Sequence, residues 1–276
     1  MALGLGAVLA ALMLPAVALA DQRADWVLSA PGDPGTYVNM DVIFGAVQGG
    51  LEHRINIFGM ANQLTLRGSA IAAIPFGGTQ LDADLRIVIL TLGTSVGAAD
   101  VWHNQTFSAT EPLNRKERRQ REAGGEFNSA GYGFWEGRAG LDLPFNDFVL
   151  FHNVTSYRVS GAPKRSFDNL ISVVHDGNYV RSDFQLFFKH RDYGGLAPML
   201  QLLNFPLDGT RHTQVNVGFA LIARAGLVRR DDLILFQMLF NAGSSLGGYD
   251  NSDTYGLAVL RGPATFTLAY RSVISL

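Results

Sequence analysis

Leu81-Asp82-Ala83-Asp84-Leu85-Arg86-Ile87-Val88-Ile89 is the stretch that decides the fold. Its odd positions are Leu, Ala, Leu, Ile and Ile, and its even positions begin Asp, Asp, Arg. Successive side chains of a strand point to opposite faces, so this stretch reads as a strand with one apolar and one charged face. The pattern recurs on both sides. Leu64, Leu66, Gly68, Ala70 and Ala72 alternate with Thr65, Arg67 and Ser69, and Val180, Phe184, Leu186 and Phe188 oppose Tyr179, Arg181, Asp183, Gln185 and Lys189. Val215, Val217, Phe219 and Leu221 oppose Gln214, Asn216 and Arg224, while Ile234, Phe236, Met238 and Phe240 oppose Gln237 and Asn241.

A soluble β-sandwich also alternates, and three details favour a membrane instead. The segments match the roughly 9 to 11 residues that a tilted strand needs to cross a bilayer. The polar face carries several charges at a time, as the interior of a barrel does. Aromatic residues gather near segment ends, among them Tyr37, Trp102, Tyr132, Trp135, Phe145, Phe148, Tyr157 and Tyr270, as in the girdles of a barrel. After the first twenty residues no run of 18 or more apolar residues occurs, so any crossing must be made by strands. In hydrocarbon each backbone donor and acceptor needs an internal partner, which leaves a closed barrel.

The predicted class is therefore all-β: a closed, up-and-down antiparallel transmembrane β-barrel. Segments read near 36–47, 51–59, 62–74, 80–92, 94–107, 130–143, 147–160, 166–176, 179–190, 195–206, 211–225, 231–243 and 252–273. Taking the last as a hairpin turning at Gly262-Pro263 makes fourteen strands, and merging the pair that flanks Asn62 makes twelve. Bacterial single-chain barrels have an even count with both termini in the periplasm, so 12 to 14 strands remain and thirteen is excluded. Asp176-Gly177-Asn178 and Pro144-Phe145-Asn146-Asp147 read as tight turns on the periplasmic side, Gly and Asn supplying the positive φ.

Met1–Ala20 is uncharged, contains Pro15 and ends Ala18-Leu19-Ala20, the small-x-small pattern of a cleaved signal peptide. About 20 apolar residues could also form an anchor, but the small residues, Pro15 and the cleavage pattern favour export. No Lys or Arg follows Met1, so the usual basic start is missing. The expected organisation is a signal peptide over 1–20, a short periplasmic segment over 21–35 and a barrel over 36–276. The chain has no cysteine, so an exported fold must rely on packing and hydrogen bonds. Its formal net charge of −2 does not suggest nucleic-acid binding.

One long polar insertion, 108–129, interrupts the alternation. Its centre holds Arg115, Lys116, Arg118, Arg119 and Arg121 among Glu117 and Glu122, which suits an exposed extracellular loop. Those five cations are candidates for binding lipopolysaccharide phosphates or other anions; the simpler reading is a solvated loop with internal Glu–Arg pairs. If the polar phase faces inward, the interior receives Arg67, Asp82, Asp84, Arg86, Glu136, Arg138, Asp142, Arg158, Arg181, Asp183, Lys189 and Arg224. Both signs are interspersed, so the wall is close to neutral, and mixed charge suits a water-filled passage. On that reading, neutralising Arg86 or Arg181 should shift ion selectivity.

Catalysis finds little footing. A barrel-wall lipid hydrolase needs a Ser activated by His, and none of the six histidines precedes a Ser by two positions. Asp82 and Asp84 share a face and resemble a paired-acid protease site, yet Arg86 continues that face and explains them as a neutralised ladder. Asp231-Asp232 and Asp250-x-x-Asp253 lack a full set of calcium ligands. No metal, nucleotide or other cofactor is expected.

The signal-like start followed by about a dozen alternating segments resembles Gram-negative outer-membrane β-barrel proteins generally, the monomeric porins and channels of twelve to fourteen strands being nearest in size. The resemblance is one of architecture, without a family motif. Such chains commonly end in Phe or Trp, whereas this one ends Val273-Ile274-Ser275-Leu276. The resemblance implies a place in the outer membrane among lipid and lipopolysaccharide, passage of small hydrophilic solutes, and handling by periplasmic chaperones and the barrel-assembly machinery. Three functions follow in order: a passive channel, a non-conducting structural or surface-interaction barrel using the basic loop, and a lipid-directed enzyme.

Overall fold

The computed structural model describes residues 34–43, 46–57, 62–73, 76–104, 106, 124–125, 128–168, 173–190, 194–224, 232–244 and 264–276. The expected signal peptide, most of the 21–35 segment and the five loop cations Arg115 to Arg121 lie outside the described residues. Strands follow one another as β1 (Gly35–Ile43), β2 (Ala46–Asn56), β3 (Asn62–Ala73), β4 (Phe76–Ile87), β5 (Leu90–Asn104), β6 (Asn128–Pro144) and β7 (Val149–Ser160). A short pair, β8 (Ser166–Asp168) and β9 (Val173–His175), comes next. Then come β10 (Tyr179–His190), β11 (Gly194–Leu207), β12 (Thr210–Arg224), β13 (Leu233–Ser244) and β14 (Ala264–Ser275).

Twelve of these strands close into one antiparallel barrel, and β8–β9 is a separate two-stranded sheet inserted between neighbours β7 and β10. Closure is made by β1, which pairs with β2 on one side and with β14 on the other. No edge is left to expose unpaired backbone groups, which is the requirement of a hydrocarbon surrounding.

The count of twelve arises differently from either sequence reading. The pair flanking Asn62 stays as two strands, β2 and β3. The segment 166–176 is not a wall strand at all, since only its two ends form the small β8–β9 sheet. The last segment contributes one wall strand, β14; residues 252–263, with the expected turn at Gly262-Pro263, lie outside the described residues.

Alternating strand directions put the short connections 57–61, 88–89, 145–148, 191–193 and 225–232 at one end, with the start of β1 and the end of β14. The long connections 105–127, 161–178 and 245–263 leave the other end. Asp176-Gly177-Asn178 turns at the long-loop end, because it belongs to the 161–178 connection, and 145–148 turns at the short end, so the two turns expected on one side lie at opposite ends of the barrel. At 145–148, Asn146 Oδ1 accepts the backbone N–H groups of Phe148 and Val149, both at 2.8 Å. Asp208-Gly209 joins β11 to β12 with both φ angles positive, 52° and 76°, as a two-residue hairpin turn requires.

One turn was hidden. Val88 and Ile89 read as the continuation of an alternating strand, yet they form the β4–β5 turn, with Val88 at φ 53°. A β-branched residue is strained there. Two side chains hold it: Asn62 Oδ1 accepts the Val88 N–H at 3.2 Å, and Arg86 Nε donates to the Val88 carbonyl at 3.1 Å.

The polarity of the wall is the reverse of a soluble protein's. Leu81, Leu51 and Val96 are 64%, 53% and 48% exposed, while their polar neighbours in sequence, Asp82, Glu52 and Ser95, are 5%, 2% and 1% exposed. Apolar side chains outside and polar ones inside are stable when the surrounding medium is hydrocarbon, so the barrel is of the transmembrane type. Trp135, Tyr157, Phe145 and Phe148 are exposed on this surface, as girdle residues are. Tyr37 and Tyr132, expected in the same girdles, instead share the inward phase of Asn39 and Glu136. For a test of the outer face, Leu81→Arg should cost about 2–4 kcal/mol of folding free energy in lipid vesicles, as a cation at mid-bilayer depth does. Leu81→Phe should refold like the parent chain. Denaturant titration in vesicles reads both.

Candidate functional site: a charge-paired inner wall

Residues directly opposite each other in neighbouring strands project from the same side of a sheet. The register carries one such row across eight strands. Tyr37 lies opposite Glu52, Glu52 opposite Arg67, and Arg67 opposite Asp82. Asp82 lies opposite Ser95, Ser95 opposite Glu136, and Glu136 opposite Arg158. The row ends where Arg158 meets Tyr179 on β10. Acid and base alternate from Glu52 to Asp82 and again from Glu136 to Arg158, with Ser95 between the two acids.

Asp82 is the centre of this row. Its Oδ1 accepts from Ser95 Oγ at 2.5 Å, Gln80 Nε2 at 2.6 Å and Arg138 Nη1 at 3.2 Å, and its Oδ2 accepts from Arg67 Nε at 3.4 Å. Arg138 comes from the next row down and also reaches Asp84 at 2.9 Å and Glu136 at 3.5 Å. Arg158 completes the row, donating to Glu136 at 2.9 Å while its guanidinium sits 4.3 Å from the Phe134 ring centre. Room for these side chains comes from small residues: a Cβ at Gly93 would collide with the Asp84 carboxylate and approach Arg138 Nε to 3.0 Å.

The network continues on both flanks. Glu52 accepts from Asn39 at 3.0 Å and pairs with Arg54. At the closure, Arg271 of β14 grips Asp41 of β1 through two nitrogens at 2.7 and 3.1 Å. On β10, Arg181 pairs with Asp183 at 2.6 Å, and Asp183 begins a relay through Gln201, Asn216 and Gln214 at 2.9, 2.8 and 2.9 Å. Nearer the short-turn end, His152 Nδ1 lies 2.5 Å from Asp142 Oδ1. Every inward acid named here has an arginine or a histidine beside it.

Of the predicted interior residues, Arg67, Asp82, Asp84, Arg86, Glu136, Arg138, Asp142, Arg158, Arg181 and Asp183 all carry the inward phase. The structure draws Asp82, Asp84, Glu136 and Arg138 into one cluster with Arg67 and Arg158. Lys189 and Arg224 share the inward phase but sit at the short-turn rim, Arg224 exposed and the last residue of β12, outside that cluster.

The other half of the interior departs from the expectation of a polar lining throughout. Leu150, Phe187, Met199, Ile222, Leu233 and Leu239 form a buried apolar cluster on the inner faces of β7 and β10–β13. The signal lies in apolar runs without alternation: Leu196-Ala197-Pro198-Met199-Leu200 and Leu233-Ile234-Leu235-Phe236 are apolar in both phases. A strand apolar on both faces reads this way. Here one face meets lipid and the other fills the barrel.

On the outer wall, His53 Nδ1 and Thr36 Oγ1 are 2.9 Å apart across β1 and β2. No carboxylate orients this ring in the hydrogen bonds of the described residues. Among the described residues no group of three His, Asp or Glu could hold a metal ion.

No protein-family model matches the chain, and no curated protein does. Among solved structures it is similar to the NanC porin, with 12% identity over 88% of this chain and 99% of that one, at a TM-score of 0.40. The KdgM porin shares 8% identity over 87% of this chain and 98% of its own, at 0.37. LpxR from Salmonella typhimurium shares 6% over 87% and 99%, at 0.39. The assignment of the fold rests on the closed register and on the inverted polarity of the wall.

Truncating the hub should be costly. Asp82→Ala leaves buried Arg67 without the carboxylate it pairs with and should lower stability by about 3–5 kcal/mol, whereas the paired change Asp82→Leu with Arg67→Met should cost much less, Arg138 keeping Asp84 and Glu136. Unfolding curves of the two variants, followed by the gel shift of heat-denatured barrel, distinguish the outcomes.

Proposed function

We propose that the chain is a bacterial outer-membrane channel whose water-filled path follows the charge-paired wall of β2–β7 and β10 and passes small hydrophilic solutes. The observation that supports this most is the charged row from Glu52 to Arg158. Filling an interior with ion pairs gives no stability advantage over filling it with apolar side chains of similar volume, and is often the less stable choice. The short-turn end of β10–β13 follows the apolar solution; the β2–β7 half does not. A polar track retained under those conditions suits transit of water and solutes.

On this reading the short-turn end faces the periplasm and the long-loop end the exterior, the usual orientation of such barrels. Met1–Ala20 is the export signal. The cations Arg115, Lys116, Arg118, Arg119 and Arg121 belong to an outer loop and meet lipopolysaccharide, and folding proceeds through periplasmic chaperones and the assembly machinery. Because the acids and bases are matched, small cations and anions pass with little preference. A solute needs no net charge of its own.

The low exposure of the network favours a second reading, a closed structural barrel: the side chains of Arg67 and Asp82 are only 6% and 1% exposed. Single-channel recording of refolded protein in a planar bilayer separates the two. A channel gives discrete ohmic steps, a reversal potential near zero in a salt gradient, and a shift toward cations in Arg181→Gln, which leaves Asp183 in excess. A heat-modifiable barrel that stays silent would support the structural reading.

A further inference from the structure

Two neighbouring rows of the outer wall turn polar at the same place. The register sets Leu85, Leu92, Ala139, Thr155, Ser182 and Leu202 in line across β4–β7, β10 and β11. The next row toward the short turns carries Leu90, Leu141, Asn153, Phe184 and Leu200. Both rows have the phase of exposed Leu81 and Tyr157, so both face outward. Asn153 and Thr155 of β7 and Ser182 of β10 therefore face lipid, with apolar positions on either side of them.

Their depth follows from the girdles. Phe145 and Phe148 mark the short-turn end, and Trp135 and Tyr157 lie ten and nine positions away along β6 and β7. At about 3.3 Å per residue and the usual tilt of about 40–45°, this spacing is about 21–25 Å, the height of an apolar band. Thr155 and Asn153 stand two and four positions inside Tyr157, about 5 and 10 Å into the hydrocarbon. A polar group there needs a partner. Thr155 Oγ1 and Ser182 Oγ are 3.0 Å apart, a contact that uses one of their two hydroxyl protons. Asn153 Nδ2 donates to the Asp183 carbonyl at 3.0 Å, and among the described residues its Oδ1 accepts no hydrogen bond. The patch keeps donors and an acceptor that acyl chains cannot meet.

Its upper margin is held in place. Trp135 Nε1 donates to Thr94 Oγ1 at 3.0 Å, and its ring lies so near Gly137 that a Cβ there would approach it to 3.0 Å. Tyr157 stands edge-on to Trp135 at 6.4 Å, and its hydroxyl accepts from Asn178 Nδ2 at 2.8 Å. Below this pair, Ala139 opposite Thr155 keeps the wall shallow, which lets a second wall come close.

We propose that the outer face of β6, β7 and β10 is the contact through which a second copy of this chain packs in the membrane. Headgroups and water offer hydrogen bonds at the girdles and beyond them, so a partner at this depth is protein. A two-fold axis along the membrane normal keeps each residue at its own depth. A second copy therefore brings Asn153, Thr155 and Ser182 against the same three groups, and hydroxyls and amides both donate and accept. The face is its own complement. This contact holds whether or not the barrel conducts.

The test uses the turn at the foot of this face. Asp147→Cys, the single cysteine of its chain, is labelled with donor or acceptor dye, and the two preparations are folded together in phosphatidylcholine vesicles. Energy transfer, followed as the protein is diluted in lipid, reports association. Asn153→Leu, Thr155→Val and Ser182→Ala combined should stay heat-modifiable and need at least about tenfold more protein per lipid for the same transfer. Thr79→Val, on the outer face of β4, is the control and should change nothing. If the triple variant folds poorly, Ser182→Cys in the otherwise unchanged chain decides: a short bis-maleimide should link it into a dimer and leave Thr79→Cys monomeric. Transfer no greater than that of randomly dispersed barrels would overturn the proposal. So would equal transfer in the parent and the triple variant, or a folded Ser182→Cys that does not cross-link.

Discussion

The register between neighbouring strands is the constraint on which everything else depends. In a wall of period two, a slip of one residue would turn each charged side chain toward lipid and each apolar one toward the interior. Such a slip would bring Arg67, Asp82 and Glu136 into hydrocarbon together, where each charge is costly. The register is held further by complementarity along it: Glu52 faces Arg67, Arg67 faces Asp82, and Glu136 faces Arg158. A shift of two residues keeps the faces but sets these partners out of line. The same logic operates at the seam, where the Arg271–Asp41 pair joins the last strand to the first.

From that register follows an interior of two characters. The β2–β7 side is a mesh of ion pairs centred on Asp82, with Gly93 clearing space for Asp84 and Arg138. The β10–β13 side is filled by Phe187, Met199, Ile222 and their neighbours. Both solutions satisfy a buried interior, since polar groups inside are tolerable only when fully paired. At the long-loop end, Val173 of β9 is seated on the inner faces of β10 and β11, against Tyr179, Leu203 and Phe205.

Much of this was legible in the chain, and what was not has physical causes. Alternation exposed the barrel class and the inward phase of Arg67, Asp82, Glu136 and Arg181, because side-chain phase is a local property of a strand. The inner apolar cluster was missed because runs such as Leu196 to Leu200 lack alternation and carry no mark of which face meets lipid. Val88-Ile89 was missed because a turn made of β-branched residues has the composition of a strand, and one of the two side chains that hold it, Asn62, lies 26 residues away. The 166–176 segment has strand-like composition, but wall membership depends on pairing with distant partners. Its last residue, Asp176, instead accepts the backbone N–H of Asp208, 32 residues away.

The central claim is that the polar phase of each wall strand faces the interior and the apolar phase faces lipid. Since the chain contains no cysteine, single cysteines placed at successive positions 79–86 of β4 are unambiguous probes. Each variant, folded in lipid vesicles, would carry a spin label whose collision rates with oxygen and with a water-soluble paramagnetic reagent are compared. The account expects positions 79, 81, 83 and 85 to favour oxygen, which concentrates in lipid, and positions 80, 82, 84 and 86 to be shielded from it. Uniform accessibility, or odd positions exposed to the aqueous reagent, would contradict a membrane barrel and return the chain to the class of soluble β proteins.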